Sequence, residues 1–134
     1  MKYYTTGSVE SYYNLACEEW LLRCTEEDAF MLWQNAPTVV IGRNQNLYAE
    51  VDLEAAEAAG ITVTRRITGG GAVYHDLGNV NFSFVCSRRK ADALDFAYFT
   101  APILEALASL GVRACLSGRN DLLAETADGV CRHQ

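Results

Sequence analysis

The run Arg65-Arg66-Ile67-Thr68-Gly69-Gly70-Gly71-Ala72-Val73-Tyr74-His75 carries the most chemical information in this chain. Glycines lack a Cβ, so three in a row can take positive φ and bring backbone N–H groups close to a ligand. Successive N–H groups in such a turn form a nest for an anion. The two arginines before it add charge and bidentate donors. Together they suit a phosphate or a carboxylate. The run is neither a Walker loop, which needs Gly-Lys-Ser/Thr, nor the Gly-x-Gly-x-x-Gly dinucleotide fingerprint. A glycine-rich hairpin turn beside a solvated arginine pair is the plainer alternative. Against it, His75, Asp76, Asn79 and Asn81 follow closely, more specific polar groups than a turn needs. A second polar cluster, Gly118-Arg119-Asn120-Asp121, stands between two apolar stretches. Its Asn and Asp either make a turn or orient an amide and a carboxylate into the same cleft.

These groups must be held by regular elements. Ser11 to Cys24 predicts a helix, with Tyr12, Leu15, Ala16, Trp20 and Leu22 recurring at helical spacing. Ala29 to Gln34 and Thr38 to Ile41 read as strands joined at Asn35-Ala36-Pro37. Val51 to Ala59 is a short helix stopped by Gly60. Ile61 to Ile67 reads as a strand, and Thr68 to Gly71 as a tight loop. Ala72 to His75 and Asn79 to Cys86 look like hairpin arms around Asp76-Leu77-Gly78. Ala93 to Leu110 is the longest helical pattern, with Leu94, Ala97, Tyr98, Ala101, Leu104 and Ala108 on one face. Pro102 within it should kink the helix or mark its start, and Gly111 ends it. Val112 to Leu116 and Asp121 to Glu125 are further strands. Strands in runs with a few helices favour an α+β fold with a mixed or antiparallel sheet over a doubly wound one.

Length and composition set outer limits. The chain has 134 residues, 50% hydrophobic and 21% charged, which fits one globular domain and excludes a disordered or collagen-like chain. No apolar run reaches the roughly 18 residues of a membrane span, and the start lacks the apolar stretch of a signal peptide, so a cytoplasmic location is expected. A net charge of −6 makes it a poor general binder of nucleic acid. Residues 1–60 hold ten acids and three bases, and residues 61–134 hold seven acids and eight bases. An anion site therefore belongs in the second half, near Arg65, Arg66, Arg88, Arg89 and Lys90. Cys17, Cys24, Cys86, Cys115 and Cys131 form no Cys-x-x-Cys pair, which fits neither a disulfide framework nor a zinc site. Buried reduced thiols are the simplest account.

Four ordered segments resemble the lipoate–protein ligases of the biotin/lipoate ligase superfamily. They are Asn14-Leu15-Ala16-Cys17-Glu18-Glu19, then Leu32-Trp33-Gln34-Asn35 through Val39-Val40-Ile41-Gly42-Arg43-Asn44-Gln45-Asn46, then Arg65 to Phe84, then Gly118 to Leu122. The resemblance implies a class II synthetase-like, biotinyl/lipoyl ligase-like α+β fold and a two-step reaction. Lipoic acid and ATP give lipoyl-AMP and pyrophosphate, and the lipoyl group then passes to a lysine of a carrier domain. The implied partners are lipoyl domains of 2-oxoacid dehydrogenase complexes or the glycine-cleavage H protein. It also implies site roles: Gly71, Ala72, Val73 and Tyr74 for the nucleotide, and Arg66 for phosphate or the lipoyl carboxylate. Trp33, Gly71 and His75 would line the lipoyl pocket. Asn120 and Asp121 would lie near the phosphate, with Asp121 as a ligand for Mg²⁺ and, with Arg66, a catalytic group.

The resemblance breaks near the end. The family continues into Asp-Gly-x-Lys-x-x-Gly-Ser/Thr-Ala, whose lysine grips carboxylate and α-phosphate together. Here Asp128-Gly129 leads to Val130-Cys131-Arg132-His133-Gln134, and no lysine follows Lys90. The expectation is that residues 1–134 are the N-terminal portion of such a catalytic domain, truncated by a frameshift near Gly129, with negligible adenylation activity alone. The alternatives are a lipoyl or octanoyl transferase of the same superfamily, with Cys86 or Cys115 as candidate thiols, and a non-catalytic remnant that binds ligand. The intact Gly69-Gly70-Gly71 favours the ligase, because the transferases tend to break the third glycine.

Overall fold

A computed structural model describes residues 1–86, 96–117, 121–125 and 131–133, with backbone only at 121 and 131–133. Contacts divide the chain into two units, Met1–Ser87 and Arg88–Gln134. The first unit opens with β1 (Lys2–Thr5) and α1 (Ser11–Cys24). Next come β2 (Ala29–Trp33), β3 (Thr38–Ile41), the short helices α2 (Leu47–Glu50) and α3 (Leu53–Ala58), and β4 (Thr62–Arg65). β5 (Val73–His75) and β6 (Asn81–Val85) complete it. Asp52 caps α3 by accepting from the Ala55 N–H, and Gly60 ends it at φ +67°.

The strands form two three-stranded sheets, ordered β1-β2-β6 and β4-β3-β5. β1 runs parallel to β2 and β4 parallel to β3, whereas β6 and β5 pair antiparallel with β2 and β3. The strands joined at Asn35-Ala36-Pro37 take partners other than each other. Here the structure corrects one sequence expectation: the arms either side of Asp76-Leu77-Gly78 are not a hairpin. The turn does form, with Asp76 Oδ1 accepting from Gly78 N–H at 2.7 Å and Asn79 Oδ1 from Asp76 N–H at 3.1 Å. It diverts the chain instead of reversing it, because β5 takes β3 as its partner, with Val73 opposite Val40, and β6 takes β2, with Ser83 opposite Met31. Both connections thus cross between the sheets at one place, which is where the candidate site lies.

In β2 the buried residues alternate, Ala29, Met31 and Trp33, as a strand with one covered face requires. They pack with Leu21 and Val85 as the core, with Leu15, Cys17 and Tyr4 against it. The buried face of α1 is set by Ser11, Asn14 and Leu21, not by the apolar spacing read from the sequence: Tyr12, Ala16, Trp20 and Leu22 are exposed. Asn14 takes the inner position because its amide satisfies backbone carbonyls there.

In the second unit α4 (Phe96–Ser109) packs with β7 (Ala114–Ser117), which pairs antiparallel with β8 (Asp121–Glu125), itself paired with β9 (Cys131–His133). The helix runs through Pro102 instead of starting there. Its covered face follows Thr100, Ile103, Leu104 and Leu107, so Ala97, Tyr98, Ala101 and Ala108 are exposed, contrary to the expected stripe. Leu94 lies outside the described residues. The helices and mixed sheets are the α+β organisation expected. Among the described residues no helix is long and apolar enough to cross a membrane.

Candidate functional site

The glycine run becomes a loop between β4 and β5 that is clamped to a second loop after β3. Arg65 Nη1 donates to the carbonyls of Gly42 (2.9 Å), Arg43 (3.0 Å) and Gln45 (2.8 Å). The Arg43 N–H donates to Thr68 O at 2.8 Å, and Gln45 Oε1 accepts from the Gly42 N–H at 2.8 Å. The two backbones approach so closely that a Cβ on Gly42 would lie 2.0 Å from Gly70 O. Gly70 alone of the triplet takes positive φ, +97°. The sequence treated Arg65 and Arg66 as one cationic pair, and the structure separates them. Arg65 is committed to three carbonyls of the 42–45 loop. Arg88, Arg89 and Lys90 lie outside the described residues.

Arg66 organises the glycine loop itself. Its Nε donates to Gly69 O at 3.1 Å, Nη2 to Gly69 O and Gly71 O at 2.8 Å each, and Nη1 to Val40 O at 3.2 Å. The carbonyls of the loop therefore turn onto the guanidinium. Among the described residues none accepts from the N–H groups of Gly69, Gly70 or Gly71. Those N–H groups are thus left available to an anion, as a nest would use them.

Beside Arg66 lies a cleft of about 300 Å³ between α1 and the two sheets. Leu15, Trp33, Val40, Val73 and Phe82 supply its apolar walls, and Glu18, Arg66, His75 and Asn81 its polar groups. Val73 and His75 share one face of β5, and Tyr74 between them points to the other. Accordingly Tyr74, like Gly71 and Ala72, is exposed and does not line the cleft. Trp33 is both core and wall: it is 7% exposed, its Nε1 donates to Ser83 Oγ at 3.1 Å, and its ring meets that of His75 edge-on with centroids 5.7 Å apart. The Ser83 hydroxyl in turn donates to the Glu18 carboxylate. The side chain of Asp121, at the start of β8, and all of Asn120 lie outside the described residues. Among the described residues no group of three or more His, Cys, Asp and Glu gathers to hold a metal.

Sequence reading missed Asn14 and Asn35, both wholly buried. Asn14 Nδ2 donates to Ser8 O, Gln34 O and Asn35 Oδ1, and Asn35 Nδ2 meets His75 Nδ1 at 3.1 Å. Asn35 was legible as a turn residue and as part of the family-like Leu32-Trp33-Gln34-Asn35 segment, with no site role attached. Its available signal was a polar residue between Trp33 and Pro37 at the end of an apolar strand.

Burial, and then the nearby Arg66 charge, hold the His75 pKa below its ordinary 6.5. Its folded value is depressed, so the unfolded chain binds the proton more readily. The resulting stability is present above pH 6.5 and is lost as pH falls through the folded value. Melting temperature should therefore rise with pH towards 6.5 and flatten above it, and His75→Gln should remove that part of the slope. An unchanged slope in the variant would assign it to other groups.

Residues 10–128 match the family model described as the lipoyl protein ligase A/B catalytic domain. The chain is 49% identical over 111 residues to lipoate–protein ligase 1 of Staphylococcus aureus, covering 81% of this chain and 34% of that protein. It thus spans about a third of the length of the curated relatives it matches. Among solved structures, P. falciparum LipL1 in complex with lipoate is similar at a TM-score of 0.80 and 31% identity, over 90% of this chain and 40% of that one. A bipartite lipoate protein ligase, determined with its E2 lipoyl domain from Thermoplasma acidophilum, gives 0.81 and 28%, over 98% and 52%. A lipoate-protein ligase A bound with ATP gives 0.74 and 27%, over 92% and 55%.

Proposed function

The chain belongs to the lipoyl protein ligase A/B catalytic-domain family, and on that premise we propose that it serves ATP-dependent lipoate–protein ligation. In this reading a lipoate carboxylate oxygen attacks the α-phosphorus of ATP, pyrophosphate leaves, and lipoyl-AMP remains bound. A lysine amine of a lipoyl carrier domain then attacks the acyl carbon and releases AMP. The observation that carries the reading is the pairing of a cationic, glycine-rich end with an apolar cleft. About 300 Å³ is within the usual range of small-molecule sites. Leu15, Trp33, Val40, Val73 and Phe82 suit a short acyl chain, while Arg66 and the N–H groups of Gly69 to Gly71, which have no acceptor among the described residues, suit the carboxylate and phosphate.

Residue roles follow from this placement. Arg66 concentrates positive charge and rigid donors where negative charge develops at phosphorus, the main way such a site lowers a barrier. Gly71, Ala72, Val73 and Tyr74 contact the nucleotide through their backbone. Trp33 and His75 border the lipoyl group. Asn120 and Asp121 are assigned to the phosphate, and Asp121 to Mg²⁺, which would neutralise phosphate charge. The carriers are lipoyl domains of 2-oxoacid dehydrogenase complexes or the glycine-cleavage H protein, and the site of action is the cytoplasm. The S. aureus, T. acidophilum and ATP-bound proteins named above are ligases, which does not favour the transferase alternative.

Isothermal titration of the chain with lipoyl-AMP tests the proposal. Saturable one-to-one binding is expected, with competition by free lipoate. Absence of binding heat at any temperature would overturn the assignment of the cleft.

A further inference from the structure

We infer that Asn35, held by Asn14, is a positioning residue that fixes His75 as a neutral imidazole with its proton on Nε2, so that His75 is a hydrogen-bond donor in the cleft and not a base. Three amide and ring orientations follow in sequence. Asn14 faces two backbone carbonyls, Ser8 O at 3.1 Å and Gln34 O at 2.7 Å, and a carbonyl only accepts, so its Nδ2 points there. The same Nδ2, its two protons shared among three acceptors, lies 2.9 Å from Asn35, where Oδ1 is accommodated and a second Nδ2 would set donor against donor. That leaves Asn35 Nδ2, which only donates, facing His75 Nδ1 at 3.1 Å. Nδ1 must accept, so the ring proton resides on Nε2.

Both asparagines are 0% exposed, so neither amide turns over to suit a different ring state. A proton on Nδ1 would set two donors against each other beside an Asn35 that is itself fully buried. The charged groups around the ring add to this on balance. Arg66 opposes a second positive charge, Glu18 lines the same cleft from α1, and Asp76 follows in the chain with its Oδ1 engaged by Gly78 N–H. The strands paired or packed beside the ring, β3 and β2, present the uncharged Thr38 and Trp33. Among the described residues no hydrogen bond engages Nε2. Its N–H suits an anionic oxygen, either a carboxylate or the acyl phosphate that replaces it. This assignment of a ligand rests on the proposed function; the tautomer does not.

Two measurements separate the parts. In ¹⁵N-labelled protein without ligand, two-bond ¹H–¹⁵N correlation at pH 7 should show His75 with an unprotonated Nδ1 and a protonated Nε2. The opposite tautomer, or a doubly protonated ring, would overturn the inference. Asn35→Asp replaces the donor by a carboxylate that accepts from Nδ1–H, and should raise the His75 pKa by about one to three pH units. Lipoyl-AMP binding, expected to be flat above pH 7 in the native protein because the His75 pKa lies below 6.5, should then change between pH 7 and 8. An unaltered His75 titration in folded Asn35→Asp would also count against the inference. If that variant does not fold, the tautomer of the native ring decides. A correct tautomer with no lipoyl-AMP binding would refute the functional reading and leave the relay standing.

Discussion

Replacement of Gly42 by alanine is expected to abolish ligand binding in the cleft and to lower stability by about 1–3 kcal/mol, the usual cost of forced overpacking. The new Cβ would stand 2.0 Å from Gly70 O and 3.0 Å from Gly70 C, so the obstacle is backbone and not the tip of a movable side chain. Gly42 is not a positive-φ residue, so the effect arises from this contact alone. The loops cannot part freely, because Arg43 N–H to Thr68 O and the Arg65 bonds to the 42–45 carbonyls tie them. Relief therefore requires the 68–71 segment to retreat, which withdraws Gly69 O and Gly71 O from Arg66 and disperses the nest.

Two other glycines serve as controls for that explanation. A Cβ on Gly69 meets nothing within 4 Å, and its φ is not positive, so Gly69→Ala should alter stability by less than about 0.5 kcal/mol. Gly70 combines φ +97° with a Cβ position that would lie 2.6 Å from Arg66 Nη2, so Gly70→Ala should cost about 1–3 kcal/mol, chiefly through backbone strain. Urea titration of the three variants, with lipoyl-AMP calorimetry on Gly42→Ala, checks the order. A Gly42→Ala protein as stable as the native and still binding ligand would show that the two loops need not touch.

The contrast between Gly42 and the triplet shows where sequence reading stops. Three adjacent glycines announce a special loop through local backbone freedom alone. Gly42 is special only because of a residue nearly thirty positions later, and nothing local reports that. The same holds for strand partners: Val73 to His75 and Asn81 to Val85 were legible as strands around a turn, and the turn forms. Their pairing with β3 and β2 is decided by burial across two sheets. Helix α1 was legible in extent, yet its inner face was not, because Asn14 is drawn inside by carbonyls from the 8 and 34 positions. Arg66, Trp33, Val73 and His75 were found from the sequence and meet at the cleft. Asn14, Asn35, Glu18 and Ser83 were not singled out as site residues, since each acts through a partner distant in sequence.

Loss of the Arg66 guanidinium should have the largest effect on binding. Arg66→Ala is expected to weaken lipoyl-AMP binding about 100-fold or more, roughly 2.7 kcal/mol. The loss has two sources: the charge opposite the phosphate or carboxylate, and the clamp on Gly69 O, Gly71 O and Val40 O. Arg66→Lys tests them separately. An ammonium restores the charge but is a single point with no planar fork, so it cannot hold the same spread of carbonyls. If the clamp dominates, Arg66→Lys should bind nearly as poorly as Arg66→Ala. If charge dominates, it should recover most of the affinity, and the remaining binding should fall steeply with salt. Global stability should move little in either variant, by less than about 1 kcal/mol, because Gly69 and Gly71 are exposed and water can replace the guanidinium at their carbonyls. Calorimetry at two salt concentrations, beside a urea titration, distinguishes a binding defect from unfolding. Binding by Arg66→Ala within threefold of the native protein would remove Arg66 from the proposed site.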